Sequence, residues 1–173
     1  MIVTYFFGLV ALLMMVPQGN GKLPDPKVAD SVDLERYAGR WYEVARFPNS
    51  FQKKCAGNVT AEYSLLADGK IRVVNRCQKK SGKYTTATGK AKVVDKTTNA
   101  KLKVSFFWPF YGDYWILDVG PDYEYAVVSD RRRKYLWILN RTPQIDEALL
   151  QQLIAKVSAQ GFDTSKLVRT SNE

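Results

Sequence analysis

Few side chains in this sequence can do chemistry, and their types are restrictive. The 173-residue chain has no histidine. That removes His-ligated metals and haem, and the base that would activate a serine or cysteine nucleophile. Two cysteines, Cys55 and Cys77, flank a predicted hairpin. Without a histidine beside them a nucleophilic role is weak; in an oxidising compartment an even pair reads as one disulfide, the alternative being two buried thiols. No catalytic residue, metal site or cofactor is expected. What remains is charge and aromatic surface. Lys and Arg outnumber Asp and Glu by 26 to 17, for a net charge of +9. Such an excess favours an anionic partner: nucleic acid, an anionic membrane or an acidic ligand. One carboxylate, Glu43, falls on the apolar side of a predicted strand, where it needs a partner such as Arg or Tyr or else titrates high.

The elements that must position these groups are mostly strands. Ile2 to Val16 is apolar apart from Thr4, shorter than the ~20 residues of a bilayer span. It reads as the core of an export signal over residues 1–21, with an uncleaved anchor as the alternative. Residues 22–32 form a polar leader, and the folded domain is expected over 33–173. A helical turn over 32–37 leads into a first strand over 39–47. Alternating or strand-like runs follow over 58–65, 71–77, 84–94, 101–107, 114–119, 123–129 and 135–140, with period two and turn residues between them. The spacing excludes βαβ units. It predicts an all-β, eight-stranded, up-and-down antiparallel barrel, in which closure removes exposed edges and leaves room for one small ligand. Leu149, Leu150, Leu153, Ile154 and Val157 recur on one face after a capping Asp146 and before Gly161. They predict one C-terminal helix packed on the barrel's outside, followed by a short edge strand over 166–169.

With Trp41 taken as inward, period two places Glu43 and Ala45 inside as well. On the other strands the inward, ligand-lining candidates are Ala61, Tyr63, Val73, Ala87, Leu102, Val104, Phe106 and Tyr114. The small residues Ala61, Ala87, Gly89 and Ala91 argue for space inside rather than a solid core. Alternate loops of such a barrel share one end. One end gathers Phe51, Lys53 and Lys54; Lys79, Lys80 and Lys83; an aromatic loop holding Trp108, Phe110 and Tyr111 after Phe107; and Arg131, Arg132, Arg133 and Lys134. The other end gathers Asp68, Asp95, Asp118 and Asp122. The first end is expected to dock on anionic lipid or to receive a charged head group, the alternative being a solvated charged rim.

Four ordered segments carry a resemblance: Trp41-Tyr42-Glu43-Val44-Ala45-Arg46-Phe47, the run from Val104 to Gly112, the run from Tyr135 to Pro143, and Gly161-Phe162-Asp163. Together with Gly39-x-Trp41 and Arg141 after the last strand, they resemble the lipocalin family and within it the bacterial Blc-type lipocalins, relatives of apolipoprotein D. The resemblance implies that Gly39, Trp41 and Arg141 form a structural signature at the barrel floor, Arg141 lying over Trp41. The parity of Arg141 then turns Tyr135, Trp137 and Leu139 inward. It further implies a cavity for fatty acids or lysophospholipids, used in membrane maintenance in the periplasm or at the outer membrane, with secretion as an alternative. Other carriers in the family take pigments or siderophores, and a few members isomerise or de-epoxidise their ligand; an enzyme is not expected here. Export and inward aromatics disfavour nucleic acid as partner, so none is expected, and a homodimer stays open. The sequence departs from the pattern at Gly120-Pro121-Asp122-Tyr123-Glu124-Tyr125, a loose form of the family's Thr-Asp-x-x-Tyr, and has no lipid-modified cysteine after the apolar run.

Overall fold

A computed structural model describes residues 23–172; the expected export signal and Lys22 of the leader lie outside the described residues. A short helix α1 (Leu34–Tyr37) is capped by Asp33, whose carboxylate accepts from the backbone N–H groups of Glu35 and Arg36. Eight strands follow: β1 (Gly39–Arg46), β2 (Cys55–Leu65), β3 (Ile71–Lys79), β4 (Tyr84–Val93), β5 (Lys101–Phe107), β6 (Phe110–Val119), β7 (Tyr125–Ser129) and β8 (Leu136–Asn140). Each pairs antiparallel with the next. β8 returns to β1, and β1 also pairs with β2, so the sheet closes into a barrel.

Helix α2 (Glu147–Ala159) is capped by Asp146, whose side chain accepts from Leu149 N at 2.9 Å. A single 3-10 turn over Thr164–Lys166 leads to a two-residue strand β9 (Val168–Arg169), paired with β1. Two apolar cores result. The inner one contains Trp41, Tyr63, Val73, Leu102, Ile116, Val128 and Leu139. The outer one packs Leu150, Leu153 and Val157 of α2 against Trp115, Leu117, Val127 and Ile138 on the barrel wall. Alternation along β6 and β7 separates the two, as period two requires.

Two expectations are corrected. Ala45 does not face inward. A β-bulge between Glu43 and Ala45 leaves Val44 as the extra residue, with Glu43 opposite Leu139, Ala45 opposite Ile138 and Arg46 opposite Trp137. A bulge shifts the parity of everything beyond it, so Val44 and Ala45 both join the outer core and Arg46 turns in with Trp137. The aromatic loop after β5 is also shorter than expected: Phe110 to Gly112 belong to β6, leaving only Trp108 and Pro109 to make the turn.

β1 and β2 pair only from Gly39 to Tyr42 and then splay. The C-terminal segment fills the gap. Thr170 N donates to Val44 O at 3.0 Å and Asn58 N to Ser171 O at 2.8 Å. The Asn172 side chain accepts from Val59 N and donates to Glu43 O at 2.8 Å. A side chain at Gly57 would collide with Ser171 O, 2.5 Å from where its Cβ would lie, so only glycine admits the tail there.

Candidate functional site: a cup closed at one end

At the closed end the Arg141 guanidinium sits 3.7 Å over the Trp41 ring. It donates to Tyr123 O at 3.1 Å, to Arg40 O at 2.9 Å and to Arg36 O at 2.6 Å. Trp41 is fully buried and its indole N–H donates to Tyr37 O at 2.9 Å. Gly39 has φ +94°, and a Cβ there would lie 3.4 Å from Arg141 Nη1; glycine suits both the left-handed backbone and the close approach. In the β6–β7 turn, where the sequence departs from the family pattern, Tyr123 still serves the floor. Its hydroxyl accepts from Asp33 N at 2.7 Å, and Arg36 stacks 4.4 Å over its ring. A cation over an aromatic face contributes about 0.5–2 kcal/mol, and each hydrogen bond from a charged group about 1.5–3 kcal/mol.

Just above the floor, three tyrosines join. Tyr114 Oη lies 2.7 Å from Tyr37 Oη and 2.8 Å from Tyr63 Oη. Burial raises the pKa of all three, that of Tyr63 to about 12, so they are neutral hydroxyls at ordinary pH.

From this floor the inward positions open progressively. Ile71, Val73 and Leu102 are 2–3% exposed. Ala61, Val104, Tyr114 and Trp137, midway up, are half-buried, and Ala87 is exposed although it shares the inward register of Gly89 and Ala91. Phe106, at the end of β5, reaches 43% exposure with its ring over the Cβ-less face of Gly89. A solid core would be most buried at mid-height. This one is most buried at the bottom, which is the shape of a cup.

Below the mouth lies a polar neck. Glu43, 3% exposed, accepts from Thr170 Oγ1 at 2.6 Å and from Gln52 Nε2 at 2.6 Å. Gln52 belongs to the β1–β2 loop and in turn accepts from Trp137 Nε1 at 3.0 Å and Asn49 Nδ2 at 2.6 Å. Arg46 Nε comes within 3.2 Å of Glu43 Oε1. Burial pushes the Glu43 carboxyl above its ordinary value, more than these hydrogen bonds and Arg46 pull it down. Phe51, Tyr135 and Trp137 stack beside the neck with centroids 5.4–6.2 Å apart. Cys55 and Cys77 are bridged at the same end, with 5.5 Å between their Cα atoms.

At the rim, Phe107, Trp108 and Phe110 are 71–79% exposed, and Lys53, Lys54 and Lys80 are exposed around them or across the mouth. The structure does not bring every expected rim residue into the opening. Tyr111 points to the outer wall, under Lys92 at 4.9 Å. Arg131 is held by Asp25 at 3.0 Å. Arg133 donates to Gln160 O and Pro24 O, both at 2.7 Å, so it fastens the leader to the end of α2. Of the three arginines, only the Arg132 side chain has no such partner among the described residues. These arginines and Lys134 line a groove of about 620 Å³ outside the barrel, with Leu23, Phe47 and Lys166 on its other sides.

Arg46 is the neck residue that alternation missed. The signal was present: the consecutive apolar pair Val44-Ala45 between two charged residues breaks the period of two at the place where the bulge lies.

An antiparallel barrel closed into a cup, capped at one end and open at an aromatic mouth, defines a binder of one small apolar ligand. The lipocalin-like domain family matches residues 32–172, and the chain belongs to the lipocalin family. It is 42% identical over 152 residues to temperature-induced lipocalin-1 of Arabidopsis thaliana, covering 83% of this chain and 81% of the relative. It is likewise 42% identical over 154 residues to the outer membrane lipoprotein Blc of Vibrio cholerae, covering 86% and 90%. Insecticyanin of the tobacco hornworm Manduca sexta shares the fold at a TM-score of 0.72, with 20% identity and 88% and 87% of the two chains covered.

Proposed function

We propose that this protein carries a single-chain lipid, a fatty acid or a lysophospholipid, with the tail in the cup and the head near the neck, and exchanges it at an anionic membrane. The observation that carries this reading is the burial gradient, from 2–3% at Val73 and Leu102 to 43% at Phe106 along inward-facing positions. A cup lined by Val, Leu, Ile, Ala and aromatic groups gains about 25 cal/mol per Å² of tail buried, without regard to which double bonds the tail holds. The exposed Phe107, Trp108 and Phe110 suit insertion at headgroup depth, and the lysines nearby suit anionic lipid. The Cys55–Cys77 bridge fits an exported protein. The outer membrane lipoproteins named Blc among its relatives support a place in the periplasm or at the outer membrane, with secretion as the alternative. We read the chain as a binding protein rather than an enzyme.

Titration of the delipidated protein with a fluorescent fatty-acid analogue, followed by displacement with oleate, tests this. Saturable one-to-one binding is expected, lost in Ala87→Trp, which fills the upper cup with little change in stability. Absence of saturable binding, or full binding by Ala87→Trp, would overturn it.

A further inference from the structure

We propose that Arg46 is the anchor for the carried ligand's head group, and that the head it selects bears one negative charge on two equivalent oxygens: the carboxylate of a fatty acid or the phosphodiester of a lysophospholipid. This rests on the carrier reading above and narrows it to charged ligands.

Position comes first. The bulge at Val44 turns Arg46 into the barrel opposite Trp137, above the apolar floor and below the rim. A tail lying on Val73, Leu102 and Leu139 would bring its head to this level.

Hydrogen-bond bookkeeping comes second. Glu43 is well supplied: one oxygen takes the Thr170 hydroxyl and the other the Gln52 amide. Arg46 is not. Its Nε is 3.2 Å from Glu43 Oε1, yet the N–H is not directed at that oxygen, and Nε is buried without an acceptor. None of the guanidinium's N–H groups makes a hydrogen bond among the described residues, in a side chain only 17% exposed. A guanidinium presents a planar fork of donors, and leaving the buried Nε donor unmade is costly. A carboxylate or phosphodiester meets that fork with two oxygens at once. The neighbouring cation, Lys53 or Lys54 on the exposed loop, is a solvated point charge and offers no comparable geometry.

Charge balance comes third. Glu43 and Arg46 together sum to zero when both are ionised. A single negative charge can share Arg46 with Glu43; a dianion would set two further charges against a carboxylate already in place. Gln52, Asn49 and Trp137 stand beside the pair as neutral groups, so Arg46 is the cation of the neck.

The test uses the whole folded chain and four probes: oleate and its uncharged methyl ester, and oleoyl-lysophosphatidylcholine and its uncharged counterpart monoolein. Calorimetric affinities are compared for wild type, Arg46→Gln and Arg46→Lys. Wild type is expected to prefer one or both charged probes over the uncharged partner by about tenfold or more, the size of one charged hydrogen bond. Arg46→Gln is expected to erase that ratio while keeping the affinity for the uncharged probe, which also shows that the cup is intact. Arg46→Lys, the fallback if the glutamine variant does not fold, should retain only part of the ratio. The pair whose ratio collapses identifies the head group. Equal wild-type affinity within both pairs removes the anchor and leaves the carrier, as does equal weakening of charged and uncharged probes in Arg46→Gln. Wild type that binds none of the four probes removes both.

Discussion

The two ends of the barrel treat their polar and aromatic groups in opposite ways. At the floor, Arg141 donates to the backbone carbonyls of Arg36, Tyr37, Arg40 and Tyr123 and stacks on Trp41, Trp41 gives its one N–H to Tyr37 O, and Tyr123 is bonded and stacked. At the mouth, three aromatic rings lie more than two-thirds exposed and Arg46 has donors without acceptors. Residue types are similar at both ends: arginine, tryptophan, tyrosine. The difference is whether each donor already has its acceptor inside the chain. Where it does, the residue holds the fold together. Where it does not, the residue is available to something else, and a change there should alter binding before it alters stability.

The sharpest way to break this comparison is Trp41→Ala. Removing a fully buried indole leaves a cavity at the floor, strips Arg141 of its aromatic face and leaves Tyr37 O with only the longer hydrogen bond from Arg141 at 3.4 Å. The expected loss is about 3–5 kcal/mol, a large share of the roughly 5–15 kcal/mol that holds a domain of this kind. Urea unfolding followed by circular dichroism measures it. A loss no larger than that of Phe107→Ala, made at the mouth, would mean that the ends are not energetically distinct.

Much of the floor was legible because the family resemblance implies a signature of Gly39, Trp41 and Arg141 there. The strands that separate them alternate cleanly enough for period two to say which faces meet. Leu150, Leu153 and Val157 likewise announced a helix with one buried face. The neck was less legible, for a physical reason. Alternation predicts faces only while hydrogen-bond register is unbroken, and the extra residue Val44 breaks it, exchanging Ala45 for Arg46 on the inside. The partners of Glu43 come from Gln52 in a loop and Thr170 near the C-terminus, contacts of long sequence separation that no local pattern encodes. The rim arginines misled in another way. The run of like charges is expected to face anionic lipid or a head group, whereas Arg131 and Arg133 are bonded to Asp25, Pro24 and Gln160, which the fold alone brings near.

Glu43 sits on the boundary between the two regimes, and pH probes it. Burial raises its pKa in the folded chain above the ordinary 4.5, so the folded state holds that proton more tightly than the unfolded state does. Stability contributed by protonated Glu43 is therefore present near pH 4.5 and is lost as pH rises through the folded value. Asp68, Asp95, Glu147 and Asp163 are shifted downward by their hydrogen bonds and act with the opposite sign at lower pH, equally in both proteins compared. Urea midpoints of wild type and Glu43→Gln, measured from pH 4.5 to 7, should show the variant gaining on wild type as pH rises. The expectation is the sign of this trend, which follows from the raised pKa of the folded chain. Parallel profiles would show that Arg46, Gln52 and Thr170 compensate the carboxylate fully and that the neck is as satisfied as the floor.

The smallest effect on stability, and the most telling, belongs to the rim. Trp108→Ser with Phe110→Ser removes two rings that are 79% and 71% exposed, so unfolding free energy should stay within about 0.5 kcal/mol of wild type. Sedimentation with anionic vesicles should nonetheless fall, because interfacial aromatics anchor at headgroup depth. The arginines divide on the same principle. Arg132→Gln removes a cation with no partner among the described residues and should weaken vesicle binding by about 1 kcal/mol without touching stability. Arg133→Gln cuts two hydrogen bonds that hold the leader against α2 and should lower stability first. If Arg132 and Arg133 proved interchangeable in both measurements, exposure of unspent donors would not be what separates the working end of this barrel from the supporting one.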